Sequence, residues 1–103
     1  MKTNEKLRVI KDFEKIETNI QEQIKLAYPE GFSDNLIFYT NADGERVSAL
    51  RYETDDKIYM VRMSISRAEQ IIEEDDDYDD DGNLKESAKD IYEDKHGDDL
   101  FEE

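Results

Sequence analysis

Residues 36–65 read LIFYTNADGERVSALRYETDDKIYMVRMSI, and this run carries the strongest structural signal in the chain. It opens with aromatic and β-branched side chains, and residues 46–53 and 57–65 then alternate between two faces. The tetrapeptide Asn-Ala-Asp-Gly at 41–44 has the composition of a tight turn. We therefore predict a three-stranded antiparallel meander over residues 35–65, with two fairly apolar faces.

Helical periodicity precedes this meander. From Ile10 to Tyr28 the apolar residues recur every three or four positions, which is the period of one helical face. Thr18 and Gln21 have the spacing of a capping box, so we predict one kinked helix or two short helices over residues 12–28. One face of the sheet should pack on these helices, while the other should be partly exposed or covered by a C-terminal element.

A second helical region follows the meander. Ser66 and Glu69 form another capping-box pattern, which predicts a helix over residues 66–74. Weaker helical spacing returns over residues 84–95, and Gly97 is expected to end it.

These patterns predict one fold class and one boundary. The class is α+β, with N-terminal helices packed on the meander, then a helix and an acidic, partly helical tail. We predict a small α+β domain over residues 1–74, followed by a tail over residues 75–103 that is partly helical or disordered.

The charge of the chain is strongly asymmetric. The net charge is −15, and residues 73–103 hold 16 of the 29 acidic residues but only 3 of the 14 lysines and arginines. Blocks of like charge stay solvated and often act as interaction tails. A surface of this sign argues against binding nucleic acid or an anionic membrane, since both ligands need basic patches. It favours a basic protein surface as the partner.

Six aspartates around Tyr78 are the candidate partner-binding residues: Asp75, Asp76, Asp77, Asp79, Asp80 and Asp81. We therefore expect a non-enzymatic interaction protein whose acidic tail contacts a basic partner. The run could instead imitate the phosphate line of a nucleic acid, or serve only to keep the protein in solution.

A calcium site is the alternative function. Asp77, Asp79 and Asp81 stand at alternate positions before Gly82, and D-x-D-x-D-G resembles the first half of the EF-hand calcium loop. The twelfth position, where that loop has a bidentate glutamate, is Ala88. The pattern thus allows a divalent-cation binding module with calcium as its ion, although two expected oxygen ligands are missing.

Aromatic residues on the strands allow one further hypothesis. The aromatics at or near strand positions are Phe32, Phe38, Tyr39, Tyr52 and Tyr59, and arginines and lysines lie on the same strands. An aromatic sheet surface can stack nucleobases. Core packing, with basic side chains reaching past it to solvent, is the simpler interpretation.

Catalysis is not expected. His96 is the single histidine and lies in the acidic tail, where we expect a surface position, and the chain has no cysteine. No phosphate-binding glycine motif or metal-spaced set of histidines and cysteines occurs. Residues 1–6 lead into no apolar segment, and no apolar run approaches the ~20 residues that span a bilayer. We therefore expect a cytosolic protein with no membrane partner and no cofactor.

Three segments carry a resemblance to a known family. They are IQEQIKLAYP at 20–29, the strand pair around residues 41–52, and YMVRM at 59–63. Together they resemble a family of small acidic bacterial proteins of unknown function, over most of residues 7–84. Some members are labelled DNA primase, but this chain has no cysteines for a zinc ribbon and no recognisable catalytic carboxylate set. The resemblance implies a shared fold and no mechanism.

Overall fold

The computed structural model describes residues 6–100, with side chains through Gly97. The strands and α-helices follow in the order β1 (Leu7–Asp12), α1 (Thr18–Ala27), β2 (Ile37–Thr40), β3 (Arg46–Glu53), β4 (Lys57–Arg62), α2 (Ile65–Glu74) and α3 (Glu86–Leu100). The strands form one mixed sheet in the order β1-β4-β3-β2. The fold is therefore α+β, with three α-helices and a four-stranded sheet.

The antiparallel part of the sheet, β2-β3-β4, follows the alternation of the sequence. Its first turn is held by Asn41, whose Oδ1 accepts hydrogen bonds from the amides of Asp43 and Glu45 at 3.0 and 2.9 Å. Gly44 has a φ of +85°, which glycine adopts without the steric cost of a Cβ. This turn brings β2 and β3 together in register.

The fourth strand, β1, is a correction to the predicted three-stranded sheet. It pairs in parallel with β4, so that Val9 lies opposite Tyr59 and Ile10 opposite Met60. A parallel partner far along the sequence leaves no local signal comparable to a hairpin turn. The apolar spacing that begins at Ile10 fits a helix, but the hydrogen bonds to β4 hold this segment in the extended conformation.

The predicted helical segment 12–28 contains one α-helix, α1, preceded by a single 3-10 turn. The predicted capping box is wrong, because α1 begins at Thr18 itself and no side chain caps its first turn. Gln21 instead donates through Nε2 to the carbonyl oxygens of Phe13 and Ile16, at 2.9 and 3.0 Å. The glutamine therefore fastens the 3-10 turn to the helix.

The ends of α2 and α3 also differ from the prediction. Ser64, and not Ser66, caps α2, since its Oγ accepts a hydrogen bond from the amide of Arg67 at 3.0 Å. Gly97 does not end α3, which continues to its last described residue. A glycine costs a helix only about 1 kcal/mol, and the neighbouring His96 is buried against the rest of the fold at 3% exposure.

The core occupies one face of the sheet. Its buried cluster comprises Phe13, Ile16, Ile24, Phe32, Leu50, Tyr59, Val61, Met63, Ala68, Ile72, Tyr78, Leu84 and Ala88. The last three of these lie beyond residue 74, so the chain on both sides of the predicted boundary contributes to one core. The division into residues 1–74 and 75–103 stays a prediction, and its outermost residues lie outside the described part of the chain.

The opposite face of the sheet is partly exposed. Ile10 and Ile37 lie on it and are 54% and 39% exposed, and the pairing places them beside the strand residues Met60 and Ala49. Neither Met60 nor Ala49 belongs to the core cluster. Of the two fairly apolar faces predicted from the alternation, one therefore forms the core and the other is partly exposed to solvent.

Candidate functional site

The six aspartates lie in the acidic loop, which we define as residues 75–85 between α2 and α3. The loop is anchored by Tyr78, which is 5% exposed and packs edge-on against Phe32. Its hydroxyl donates to the carbonyl oxygen of Tyr28 at 3.0 Å. Burial, together with the negative charges of Asp75 and Asp77, raises the pKa of Tyr78 far above its ordinary value. Tyr78 is therefore a neutral hydrogen-bond donor that ties the loop to the core.

A tight turn forms the tip of the acidic loop. Asp79 Oδ1 accepts hydrogen bonds from the amides of Asp81 and Asn83, at 2.9 and 3.0 Å. Gly82 follows with a φ of +84°, a conformation that side-chain-bearing residues rarely adopt. The Asp79 carboxylate thus serves the backbone of its own loop.

Asp75 and Asp77 lie at the base of the loop and are paired with Lys25 of α1. Lys25 Nζ lies 2.6 Å from Asp75 Oδ2 and 3.0 Å from Asp77 Oδ2, and Tyr92 of α3 donates its hydroxyl to the same Asp77 oxygen at 2.6 Å. The ammonium also lies 5.9 Å from the centre of the Tyr92 ring, within the range of a cation–π contact. These four residues join α1, the acidic loop and α3.

The charges of this cluster stabilise one another. Burial raises the pKa of Asp77, but the hydrogen bonds from Tyr92 and Lys25 outweigh burial, and the net effect is a lowered pKa. Burial lowers the pKa of Lys25, but the two aspartates outweigh it and the net effect is a raised pKa. Both groups are therefore held in their charged forms.

The six aspartates consequently divide into two groups. Asp75, Asp77 and Asp79 hold the fold through Lys25 and the backbone. The other three, Asp76, Asp80 and Asp81, are exposed and make no ion pair within the described residues. A role for any of the six in partner binding stays a prediction. Asp76, Asp80 and Asp81 are the three whose carboxylates are not engaged by other described residues.

Two of these free carboxylates line an acidic groove of about 690 Å³. Its charged lining residues are all acids, contributed by the loop after α1, by α2 and by the acidic loop: Glu30, Asp34, Glu69, Glu73, Asp79, Asp80 and Asp81. Its apolar lining comes from the core residues Phe32, Ile72 and Tyr78. The groove therefore combines a ring of negative charge with an apolar floor.

Four of the groove acids were not predicted from the sequence: Glu30, Asp34, Glu69 and Glu73. Glu69 and Glu73 lie on α2, just before the aspartate run. Glu30 and Asp34 lie far from the run along the chain and reach it because the loop after α1 contacts the acidic loop, where the amide of Leu84 donates to Pro29 oxygen at 2.7 Å. The sequence contains no spacing that predicts this contact.

The D-x-D-x-D-G residues do not converge in the structure. Asp77 Oδ2 accepts from Lys25 and Tyr92, and Asp79 Oδ1 accepts from two amides of its own turn. Within residues 6–97, no three metal-capable side chains are grouped as a cation site. Calcium binding stays a prediction from the motif.

We expect no saturable calcium binding in the micromolar range at physiological salt, because binding would have to displace Lys25 from Asp77 and the amides from Asp79. Calorimetric titration of calcium into the full chain measures this directly, with magnesium as the matched ion. A micromolar dissociation constant that Asp79→Ala abolishes would contradict the expectation and restore the EF-hand-like site.

His96 is a further correction, because its expected surface position is wrong. It lies on the buried side of α3, where its Nε2 is 2.7 Å from Glu22 Oε1, and Lys95 Nζ approaches the same oxygen at 3.0 Å. Burial raises the pKa of Glu22, but the hydrogen bonds from His96 and Lys95 outweigh it and the pKa is lowered. Glu22, Lys95 and His96 therefore stabilise the contact between α1 and α3.

The strand aromatics do not form a common platform. Phe32 and Tyr59 are buried in the core, and the Tyr52 hydroxyl donates to Gln23 Oε1 at 3.1 Å on the helix-covered face. Phe38 and Tyr39 are adjacent on β2 and therefore point to opposite faces of the sheet. The positions of the aromatics therefore support core packing and isolated surface contacts, and not a surface that stacks nucleobases.

No known protein family, curated protein or solved structure matches this chain. Across the part of the chain that the structure describes, no helix has the length and apolar content needed to cross a membrane.

Proposed function

We propose that this protein is a non-enzymatic interaction protein that binds a basic segment of a partner protein in the acidic groove. The observation that carries the proposal is the convergence of seven carboxylates around one groove whose lining contains no basic side chain. The volume, about 690 Å³, is within the range of established ligand sites, roughly 300–1,000 Å³.

Electrostatics supports a basic ligand. Carboxylates that face one another across a groove repel, and a lysine or arginine side chain relieves this repulsion as it binds. A cleft lined by charge of one sign also concentrates ligands of the other sign and accelerates their association. In a chain with a net charge of −15, attraction begins at long range and is focused at the groove.

The apolar floor adds a second element of recognition. Phe32 and Tyr78 are packed in the core and are only 1% and 5% exposed, so the floor is formed before a ligand arrives and offers a small contact area. The alkyl portions of lysine and arginine side chains pack well on such surfaces while their charged ends reach the acids. We infer that a segment with several basic residues fits better than an isolated charge.

The test is a groove variant in which four exposed acids are neutralised: Glu69→Gln, Glu73→Gln, Asp80→Asn and Asp81→Asn. Its control neutralises four exposed acids elsewhere: Asp43→Asn, Asp55→Asn, Asp90→Asn and Asp94→Asn. Both variants have the same net charge, and none of these eight side chains makes an ion pair within the described residues.

We expect the groove variant to bind a labelled peptide of alternating lysine and alanine at least about tenfold more weakly than the control, since several exposed pairs of up to ~1 kcal/mol act together. Fluorescence anisotropy measures the affinity. Binding should weaken steeply as the Debye length falls from ~8 Å at 0.15 M salt to ~3 Å at 1 M. Equal losses in both variants would show that only the net charge matters, and would contradict the proposal. Retained melting temperatures establish that both variants are folded.

A further inference from the structure

The strand β1 forms one edge of the sheet, because among the described residues it pairs with β4 alone. It is six residues long and contains no proline, and its apolar residues Leu7 and Ile10 are 67% and 54% exposed. An edge strand of this kind presents unpaired backbone groups that can pair with another strand. The strand at the opposite edge, β2, has only four residues, and a short edge strand offers less to pair with.

The hydrogen bonds to β4 determine which backbone groups of β1 point outward. The amide of Leu7 donates to Asp56 oxygen at 3.2 Å, at the start of the parallel ladder with β4. Backbone groups point alternately to the two sides of a strand, so every second residue from Leu7 faces β4. The residues between them, Arg8, Ile10 and Asp12, therefore direct their N–H and C=O groups to the free edge. Their side chains share the open face of the sheet, because strand side chains alternate between faces.

Antiparallel pairing of this edge with the same edge of a second copy is self-complementary. A two-fold axis beside Ile10 sets this residue opposite Ile10 of the second copy. The same register sets Arg8 opposite Asp12 of the second copy, and Asp12 opposite its Arg8. All three pairs join outward-facing residues, which is the condition for hydrogen-bonded pairs in an antiparallel ladder. Arg8 and Asp12 are exposed, and neither makes an ion pair among the described residues.

We propose that the protein forms a two-fold homodimer in which the outer edges of β1 pair antiparallel and join the two sheets into one. Opposite charges on facing strand residues stabilise a sheet, and the symmetry provides the Arg8–Asp12 pair twice. The edge also permits two acidic copies to approach, since residues 6–12 contain three bases and one acid in a chain whose net charge is −15. No residue of β1 lines the acidic groove, so the proposal is independent of it.

Sedimentation equilibrium of the full chain at physiological salt measures the dimerisation. A contact along one strand is smaller than the standard interface of roughly 1,600 Å², so we expect a dimer that dissociates reversibly on dilution. In the 15N-labelled protein, dilution should shift the amide signals of Arg8, Ile10 and Asp12 more than those of β2. A chain that stays monomeric up to about 1 mM, or a dimer whose dilution shifts lie outside β1, would overturn the proposal.

The variant Ile10→Lys should weaken dimerisation at least about tenfold, because two ammonium groups then face each other at the axis. The matched control is Ile37→Lys, which makes the same substitution on the same face of the sheet but at the opposite edge. It should leave the dimer unchanged. An equal loss in both variants would show that the open faces stack on each other, and would overturn pairing through the edge. Amide spectra show whether each variant is folded.

An exchange of charges tests the register of the two strands. Arg8→Asp alone and Asp12→Arg alone should each weaken dimerisation at least about tenfold, because like charges then face one another in both symmetric pairs. The two substitutions together reverse both pairs and should restore the affinity to within about threefold of the natural chain. Net charge alone predicts opposite effects, since the first substitution makes the chain more acidic and the second less. Opposite effects of the single variants, or a double variant no better than either, would overturn the proposed pairing.

Discussion

A chain that ends at Glu74 should lose the cooperative thermal unfolding that we expect of the full chain. The structure buries Tyr78, Leu84 and Ala88 in the same cluster as Phe32, although all three follow this boundary. Removing a buried leucine or aromatic side chain costs roughly 2–5 kcal/mol, while a whole domain is stable by only about 5–15 kcal/mol. The truncation would also leave Lys25 without its two aspartates.

A second truncation, after Gly97, is the matched control. It keeps every described side chain and should unfold with a melting temperature close to that of the full chain. Circular dichroism and the dispersion of amide signals follow both truncations. A cooperative transition for residues 1–74, within a few degrees of the full chain, would contradict our expectation and support the domain boundary predicted from the sequence.

The antiparallel strands were predictable because their signals are local. Alternation over residues 46–53 and 57–62 determines which side chains share a face, and the glycine turn at 41–44 brings two strands together. These features depend on residues close in sequence, so a single chain suffices to recognise them. The buried positions of Leu50 and Val61 follow from the same alternation.

β1 and the acidic groove depend on contacts between distant segments. Residues 7–12 become a strand only because β4 offers a parallel edge about fifty positions later. Glu30 and Asp34 reach the aspartate run only after the loop following α1 packs on the acidic loop. The local sequence pattern therefore predicts the antiparallel strands but not the acidic groove.

The aspartate run shows the same limit at the level of single residues. By sequence its six members are nearly equivalent, but Asp75 and Asp77 both form ion pairs with Lys25, which is part of α1. Nothing near Lys25 in the sequence predicts two acidic partners. An experiment that neutralised all six aspartates would therefore disturb the fold as well as any binding surface.

Replacing Lys25 by methionine should destabilise the protein by about 2 kcal/mol. Breaking a fully buried pair costs roughly 3–5 kcal/mol, because a charge is left without its partner. We expect less here, since the side chains of Asp75 and Asp77 are 18% and 27% exposed and water compensates them in part. Denaturant unfolding followed by circular dichroism gives the change in free energy.

Two further variants separate the ion pairs from packing. Lys25→Met combined with Asp75→Asn and Asp77→Asn removes the stranded charges and should recover much of the lost stability. Lys6→Met removes an equally short but more exposed contact, at 2.6 Å from Glu53, and should change the stability little. If the triple variant were no more stable than Lys25→Met alone, the loss would come from the packing of the lysine side chain and not from its charge.

The dependence of stability on pH identifies the charges that stabilise the contact between α1 and the acidic loop. The lowered pKa of Asp77 means that its ionised form stabilises the fold above its unfolded value of ~3.9, and that this contribution is lost as the pH falls through the lower folded-state value. The raised pKa of Lys25 adds a contribution that is present below ~10.4 and is lost as the pH rises through the higher folded-state value.

The difference in unfolding free energy between the natural chain and Lys25→Met should therefore be largest near neutral pH. It should narrow below about pH 4, where protonation relieves the uncompensated carboxylates of the variant. A difference that stayed constant from pH 7 to pH 3 would show that the charge of Lys25 does not stabilise the contact between α1 and the acidic loop.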